Sequence, residues 1–142
     1  MAQSDNENVK IVQTAFEHFK NGNLDGILAT LQDDVEWETP FPRGIVPFGG
    51  KRKGKAQVKE FFEALEQTSE TLRFEPREYF GSGDVVVALG YYEGKARSTG
   101  RTASTEFAMT FRLRNGKVYA FREYADSYVV AQAFTPQTAG VR

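Results

Sequence analysis

The sequence predicts an α+β domain in which helices come first and an antiparallel sheet follows, the order expected when helices cover one sheet face. Three observations point there. Up to Thr68 the apolar residues recur mainly at helical spacing. From Leu72 onward they alternate with polar ones, as in half-buried strands. Asn115-Gly116, set between two alternating runs, is the strongest hairpin signal in the chain.

Asp5 or Asn6 can cap a first helix on which Val9, Val12, Ala15, Phe16 and Phe19 form one stripe. Asn21-Gly22-Asn23 stops it, with Gly22 suited to the left-handed position after a helix end. A short helix over Leu24 to Leu31 follows, and Val35 to Thr39 alternates as a strand. Pro40 to Lys55 reads as a loop rich in Pro and Gly, long enough to form a lid. A third helix, Lys55 to Thr68, carries Val58, Phe61, Phe62 and Leu65 on its inner side. Phe74 to Phe80, Val85 to Glu93, Arg101 to Arg114 and Lys117 to Tyr128 are the strands. Residues 1–7 and 135–142 are expected to be loose ends of a single domain spanning 1–142.

With 142 residues, 40% of them hydrophobic and 26% charged, the chain has the make-up of a soluble globular protein able to bury one core. A net charge of −1 argues against nucleic acid as a partner, because that role calls for a basic face. The densest basic stretch, Lys51-Arg52-Lys53-Gly54-Lys55, reads as a solvated surface run rather than a phosphate loop. With no cysteine, disulfides and thiolate metal sites are not available. A single histidine, His18, lies on the flank of the first helix's apolar stripe, where a structural role is expected. No metal, cofactor or membrane partner is expected. The polar, acidic start from Met1 to Asn8 does not look like a secretory signal, so a cytoplasmic protein is the default expectation.

The ordered set Phe16 to Phe19, Asn21 to Ile27, Leu31 to Trp37, Gly49 to Phe62, Asn115 to Val118 and Arg122 to Asp126 resembles the nuclear-transport-factor-2-like (NTF2-like) superfamily. The likeness lies in its SnoaL-like, ketosteroid-isomerase-related branch and covers about residues 8 to 133. It implies a cone: a curved, mixed or antiparallel sheet wrapped around three N-terminal helices, with a deep apolar pocket and dimerisation through the sheet. The superfamily holds isomerases, cyclases, hydrolases, dehydratases and binding modules, so the fold alone assigns no activity. At the positions of the steroid-isomerase base, oxyanion tyrosine and protonated aspartate stand Thr39, Ala15 and Phe107. At those of the limonene-epoxide-hydrolase arginine and first aspartate stand Gly90 and Tyr92, which leaves only Glu123 of that charged set.

Alternation sorts the strands into faces. Tyr119, Phe121, Glu123 and Ala125 share one face of the last strand; Thr105, Phe107, Met109, Phe111 and Leu113 share the matching face of its neighbour. Gly90, Tyr92, Trp37 and Thr39 follow by the same rule. The expected ligand-binding set is thus Trp37, Thr39, Phe62, Thr105, Phe107, Met109, Tyr119 and Phe121, suited to a small, flat, hydrophobic molecule. Glu123, alone on an apolar face, should titrate well above the usual carboxylate range and suit acid–base chemistry, with Tyr92 as hydrogen-bond donor to it or to a developing oxyanion. Two alternatives stand beside this. Glu123 pairs with Arg97 or Arg101 at the pocket mouth, or the pocket binds a lipid- or steroid-like metabolite without catalysis. Arg122 and Asp126 are expected to pair on the outer face.

Overall fold

The computed structural model describes residues 2–137, with side chains from Glu7 onward. Helix α1 (Ala2–Lys20) turns through Asn21-Gly22-Asn23 into α2 (Leu24–Ala29). Asn23 caps α2: its side-chain oxygen accepts from Gly26 N at 2.9 Å, supplying a partner for one of the free amides of a helix start. The helix α1 begins before both expected caps, so Asp5 and Asn6 lie inside it, and their side chains fall outside the described residues. Of the ends expected to be loose, residues 2–7 belong to α1, whereas Met1 and 138–142 lie outside the described residues.

Strand β1 (Leu31–Thr39) starts four residues earlier than alternation predicts and pairs with β2 (Gly50–Lys53). The expected loop therefore contains a strand. Its register sets Glu36 opposite Lys53 and Glu38 opposite Lys51, a favourable cross-strand arrangement of charge. Arg52, between those lysines, turns inward and is buried, contrary to the expectation of a solvated run. Its guanidinium donates to the carbonyls of Gly49 at 3.1 Å and Pro47 at 3.2 Å and stands over the Phe61 ring. Burial and nearby Arg43 lower its pKa, so the loop carbonyls solvate a charge that water no longer reaches.

Helix α3 (Lys55–Thr68) leads directly into β3 (Ser69–Ser82), followed by β4 (Val85–Ala96), β5 (Thr102–Arg114) and β6 (Lys117–Ala125). The six strands form one sheet in the order β2-β1-β6-β5-β4-β3. All pairs are antiparallel except β1 with β6, so the sheet is mixed. Register shifts at Thr71/Arg73, Pro76/Glu78 and Arg112/Leu113 introduce bulges that add bend and twist to long strands. The sheet therefore curves, and its concave face receives α1 and α3. Val12, Phe16, Val35, Val58, Val86 and Phe111 meet there as core.

The chain closes with α4 (Ser127–Ala133), where an extension of the last strand was expected. Asp126 caps it, its Oδ1 accepting from Val129 N at 3.1 Å, and is thus not the partner of Arg122. Arg122 instead approaches Glu38 at 3.8 Å. Among the described residues, no helix is long and apolar enough to cross a membrane.

Candidate active site

The concave face of the sheet and the helices enclose a hollow of about 100 Å³. Its wall is almost wholly aromatic and aliphatic: Phe16, Phe19, Trp37, Phe61, Phe62, Met109 and Phe121 are among the lining side chains. The single ionisable carboxylate in that wall is Glu123. Strand alternation places it there. Phe121 and Glu123 lie two apart on β6, so both point to the concave side, and Glu123 faces Met109 of β5 across the ladder.

Glu123 is half-buried and lines the hollow. Desolvation by burial raises its pKa from 4.5 to about 7. Neither alternative cation reaches it. Arg97 donates Nε to the carbonyl of Glu66 at 3.0 Å, and Arg101 donates to the carbonyls of Gln132 and Thr135 at 2.9 and 2.7 Å. Arg101 serves instead to hold the end of α4.

Tyr92 also lines the hollow, but no hydrogen bond joins it to Glu123 among the described residues. Its phenol is pushed up by burial, while the hydroxyls of Ser69 and Thr71 act in the other direction by hydrogen bonding. The ring leans over Gly94, where any Cβ would overlap it. The charge of Glu123 acts on the same phenol and pushes it further up, so the two groups share the hollow without bonding directly.

Trp37 stacks on Phe121 with ring centroids 4.0 Å apart, as their paired positions in β1 and β6 require. Its indole Nε1 is buried and has no hydrogen-bond partner. An unmet buried donor costs about 1–3 kcal/mol, so this N–H is a second polar group without a partner in the same wall. Phe62 and Met109 line the hollow as expected.

Four expected ligand contacts fall elsewhere. Thr39 is 2% exposed and spends its hydroxyl on the carbonyl of Phe48 at 2.8 Å. Thr105 accepts from Asp126 N at 3.0 Å and so fixes the turn into α4. Phe107 lies behind the wall, stacked on Phe74 with ring planes 11° apart, in space left by Gly90. Tyr119 fails for a clear reason. The Arg112/Leu113 register shift makes it the extra residue of a bulge, so Val118 takes the inward place and is 1% exposed. The Tyr119 hydroxyl reaches Asp84 at 3.3 Å, and its ring lies against Arg114.

Sequence reasoning missed several wall residues. Phe41 and Phe48 come from the supposed loop, and Val130 from the unexpected α4. Phe16, Phe19, Ile27 and Leu65 were assigned to helix interiors without being assigned to the pocket. Among the described residues, no group of three His, Asp or Glu side chains stands close enough to hold a metal ion. His18 sits at the α1–α2 corner, its Nδ1 3.3 Å from Asn23 Nδ2 and close beneath Gly26.

The profile of the SnoaL-like domain family matches residues 12–121. The chain belongs to the SnoaL-like domain family. No curated protein matches it significantly. Among solved structures, an NTF2-like protein from Burkholderia xenovorans LB400 is 30% identical, with TM-score 0.84 over 92% of this chain and 98% of that one. An NTF2-like protein of unknown function from Burkholderia pseudomallei K96243 is 29% identical, with TM-score 0.83 over 91% and 98%. The protein TerC, co-crystallised with polyporic acid, is 27% identical, with TM-score 0.78 over 90% and 98%. The fold is thus NTF2-like, as the SnoaL-like resemblance implied.

Proposed function

We propose that this SnoaL-like protein binds a small, flat, largely hydrophobic carbonyl compound and moves a proton on it with Glu123, as an isomerase, cyclase or dehydratase would. The observation that carries the reading is one carboxylate, without a partner and raised to about 7, in a wall of aromatic side chains. A group titrating near the working pH is present in both forms, which general acid–base catalysis needs. Glu123 accepts the proton from a carbon beside the carbonyl and returns it elsewhere on the same ligand. The Trp37 N–H is the donor available to the oxygen on which negative charge gathers. The structural likeness to TerC, crystallised with polyporic acid, supports a small-molecule ligand and makes polyporic acid a natural first probe.

A second reading, a non-catalytic binding module, is favoured by Tyr92, which lines the hollow yet makes no hydrogen bond to Glu123 among the described residues. Deuterium exchange separates the two. Incubated in D2O with a panel of cyclic enones and polyporic acid, the wild type should speed label uptake into bound enolisable compounds, and Glu123→Gln should not. Binding without any exchange in the wild type would leave only the module. The chain has one tryptophan, in the wall, so its fluorescence reports occupancy directly.

A homodimer through the convex sheet face belongs to the same proposal, with exposed Tyr124 among its residues. Tyr124→Glu should then convert the dimer to monomer in sedimentation velocity; wild type sedimenting as a monomer refutes it.

A further inference from the structure

Outside the hollow, between the end of α1, α3 and the edge strand β3, lies a groove of about 580 Å³. Five side chains border both spaces: Phe19, Ile27, Phe62, Leu65 and Phe74. The two spaces are therefore separated by a septum one side chain thick. Its aromatic members form a row, with Phe19 centred 6.1 Å from Phe62 and 5.0 Å from Phe74. The groove differs in chemistry from the hollow. Lys20, Arg73 and Arg97 border it together with Glu63, Glu66 and Glu70.

Size decides what this arrangement does. Pockets that hold small ligands usually measure about 300–1,000 Å³. The inner hollow, at about 100 Å³, falls below that range, while the groove lies within it. A ligand larger than one or two fused rings must extend beyond the hollow. Three of the five septum residues are aromatic rings on separate elements (α1, α3 and β3), and all three are only half-buried, so the septum is not locked into the core. The cations and anions of the groove are equal in number, so it favours polarity rather than one sign of charge.

Resting on the acid–base reading above, we propose that the ligand is elongated and amphipathic: its ring end enters the hollow to meet Glu123, and its polar, uncharged end stays in the charged groove. Phe62 is the gate between the two. The ligand class is a ring compound bearing a hydroxylated or glycosyl-like tail, and Phe62 decides how fast it passes.

The test uses Trp37 quenching with two probes that share a ring system, 2-naphthol and 2-naphthyl β-D-glucoside. In wild type, both should quench, with affinities within about threefold of each other. Phe62→Ala, and independently the milder Phe62→Leu, should raise association and dissociation rates of both probes, by about tenfold for the alanine. Glu66→Phe, an exposed change on α3 that fills the groove without adding a second tryptophan, should weaken the glucoside by about tenfold or more and leave 2-naphthol unchanged. Exclusion of the glucoside while 2-naphthol binds would overturn the bipartite site alone. Unchanged rates in both Phe62 variants would overturn the gate. Failure of 2-naphthol itself to quench Trp37 would overturn the apolar-ligand reading, and this inference with it.

Discussion

Replacing Glu123 by glutamine keeps the shape of the side chain and removes its charge, which makes the cost of that charge measurable. The gap between 4.5 and about 7, at about 1.4 kcal/mol per pH unit, makes the ionised carboxylate cost about 3 kcal/mol of folding stability. The direction follows from proton counting. Below pH 4.5, folded and unfolded chains both hold the proton and no penalty is felt. Between 4.5 and about 7 the unfolded chain has released it and the folded chain has not, so wild-type stability falls as pH rises. Above about 7 both forms are ionised and the deficit is constant. Urea denaturation of wild type and Glu123→Gln from pH 4 to pH 8.5 isolates this contribution, because every other group cancels in the difference. The difference should shift in favour of the variant by about 3 kcal/mol across that window, with a slope near 1.4 kcal/mol per unit. Carboxyl 13C NMR should place the same titration near 7. A difference independent of pH, or a Glu123 carboxyl titrating at 4.5, would refute the claim that burial alone sets this group apart.

Three further outcomes follow from the same geometry. Trp37→Phe removes an unmet buried donor worth about 1–3 kcal/mol and loses packing of similar size. Free-protein stability should therefore change little, while calorimetry should show carbonyl ligands binding about fivefold more weakly; unaltered affinity would exclude the N–H from ligand contact. Gly90→Ala drives a methyl group into the Glu75 carbonyl and the Phe107 ring, and a backbone oxygen in a sheet cannot swing aside. It should destabilise by about 1–3 kcal/mol or more in thermal or denaturant melts. Asp126→Ala removes the cap of α4 and should cost about 1 kcal/mol. Because Val130 of α4 lines the hollow, the same variant should also weaken 2-naphthol binding, and intact affinity would detach α4 from the site.

Most of the fold was legible because burial on one face leaves a period in the sequence. Along β5 that period is plain: Ala103, Thr105, Phe107, Phe111 and Leu113 are buried and their neighbours are not, with half-buried Met109 as the one inward position that keeps some accessible surface. What escaped was short, or irregular, or both. β2 is four residues of glycine and basic side chains, which composition assigns to solvent. A signal was nonetheless present, since Glu36 and Glu38 two apart are matched by Lys51 and Lys53 two apart, the spacing of an antiparallel charged pair of strands. α4 was hidden by the β-branched pair Val129-Val130, which favours strand in isolation, and Asp126-Ser127 as a helix start was the competing sign.

The site was legible only where alternation and pocket coincide. Glu123, Phe121, Met109 and Trp37 satisfy both, because the ladder is regular where β1, β6 and β5 cross the hollow. Tyr119 satisfies the period but is itself the extra residue of a bulge, and a single extra residue reverses every face beyond it. Thr39 and Thr105 face inward yet spend their hydroxyls on backbone, as a small buried hydroxyl does whenever a backbone partner lies within reach. Each of these polar groups is satisfied by the fold and thereby withdrawn from chemistry. Among the described residues, the carboxylate of Glu123 and the indole N–H of Trp37 are polar groups of wall side chains without a hydrogen-bond partner. One accepts protons and the other donates a hydrogen bond, and a ligand carbonyl with an acidic neighbouring carbon is the simplest chemistry that satisfies both at once.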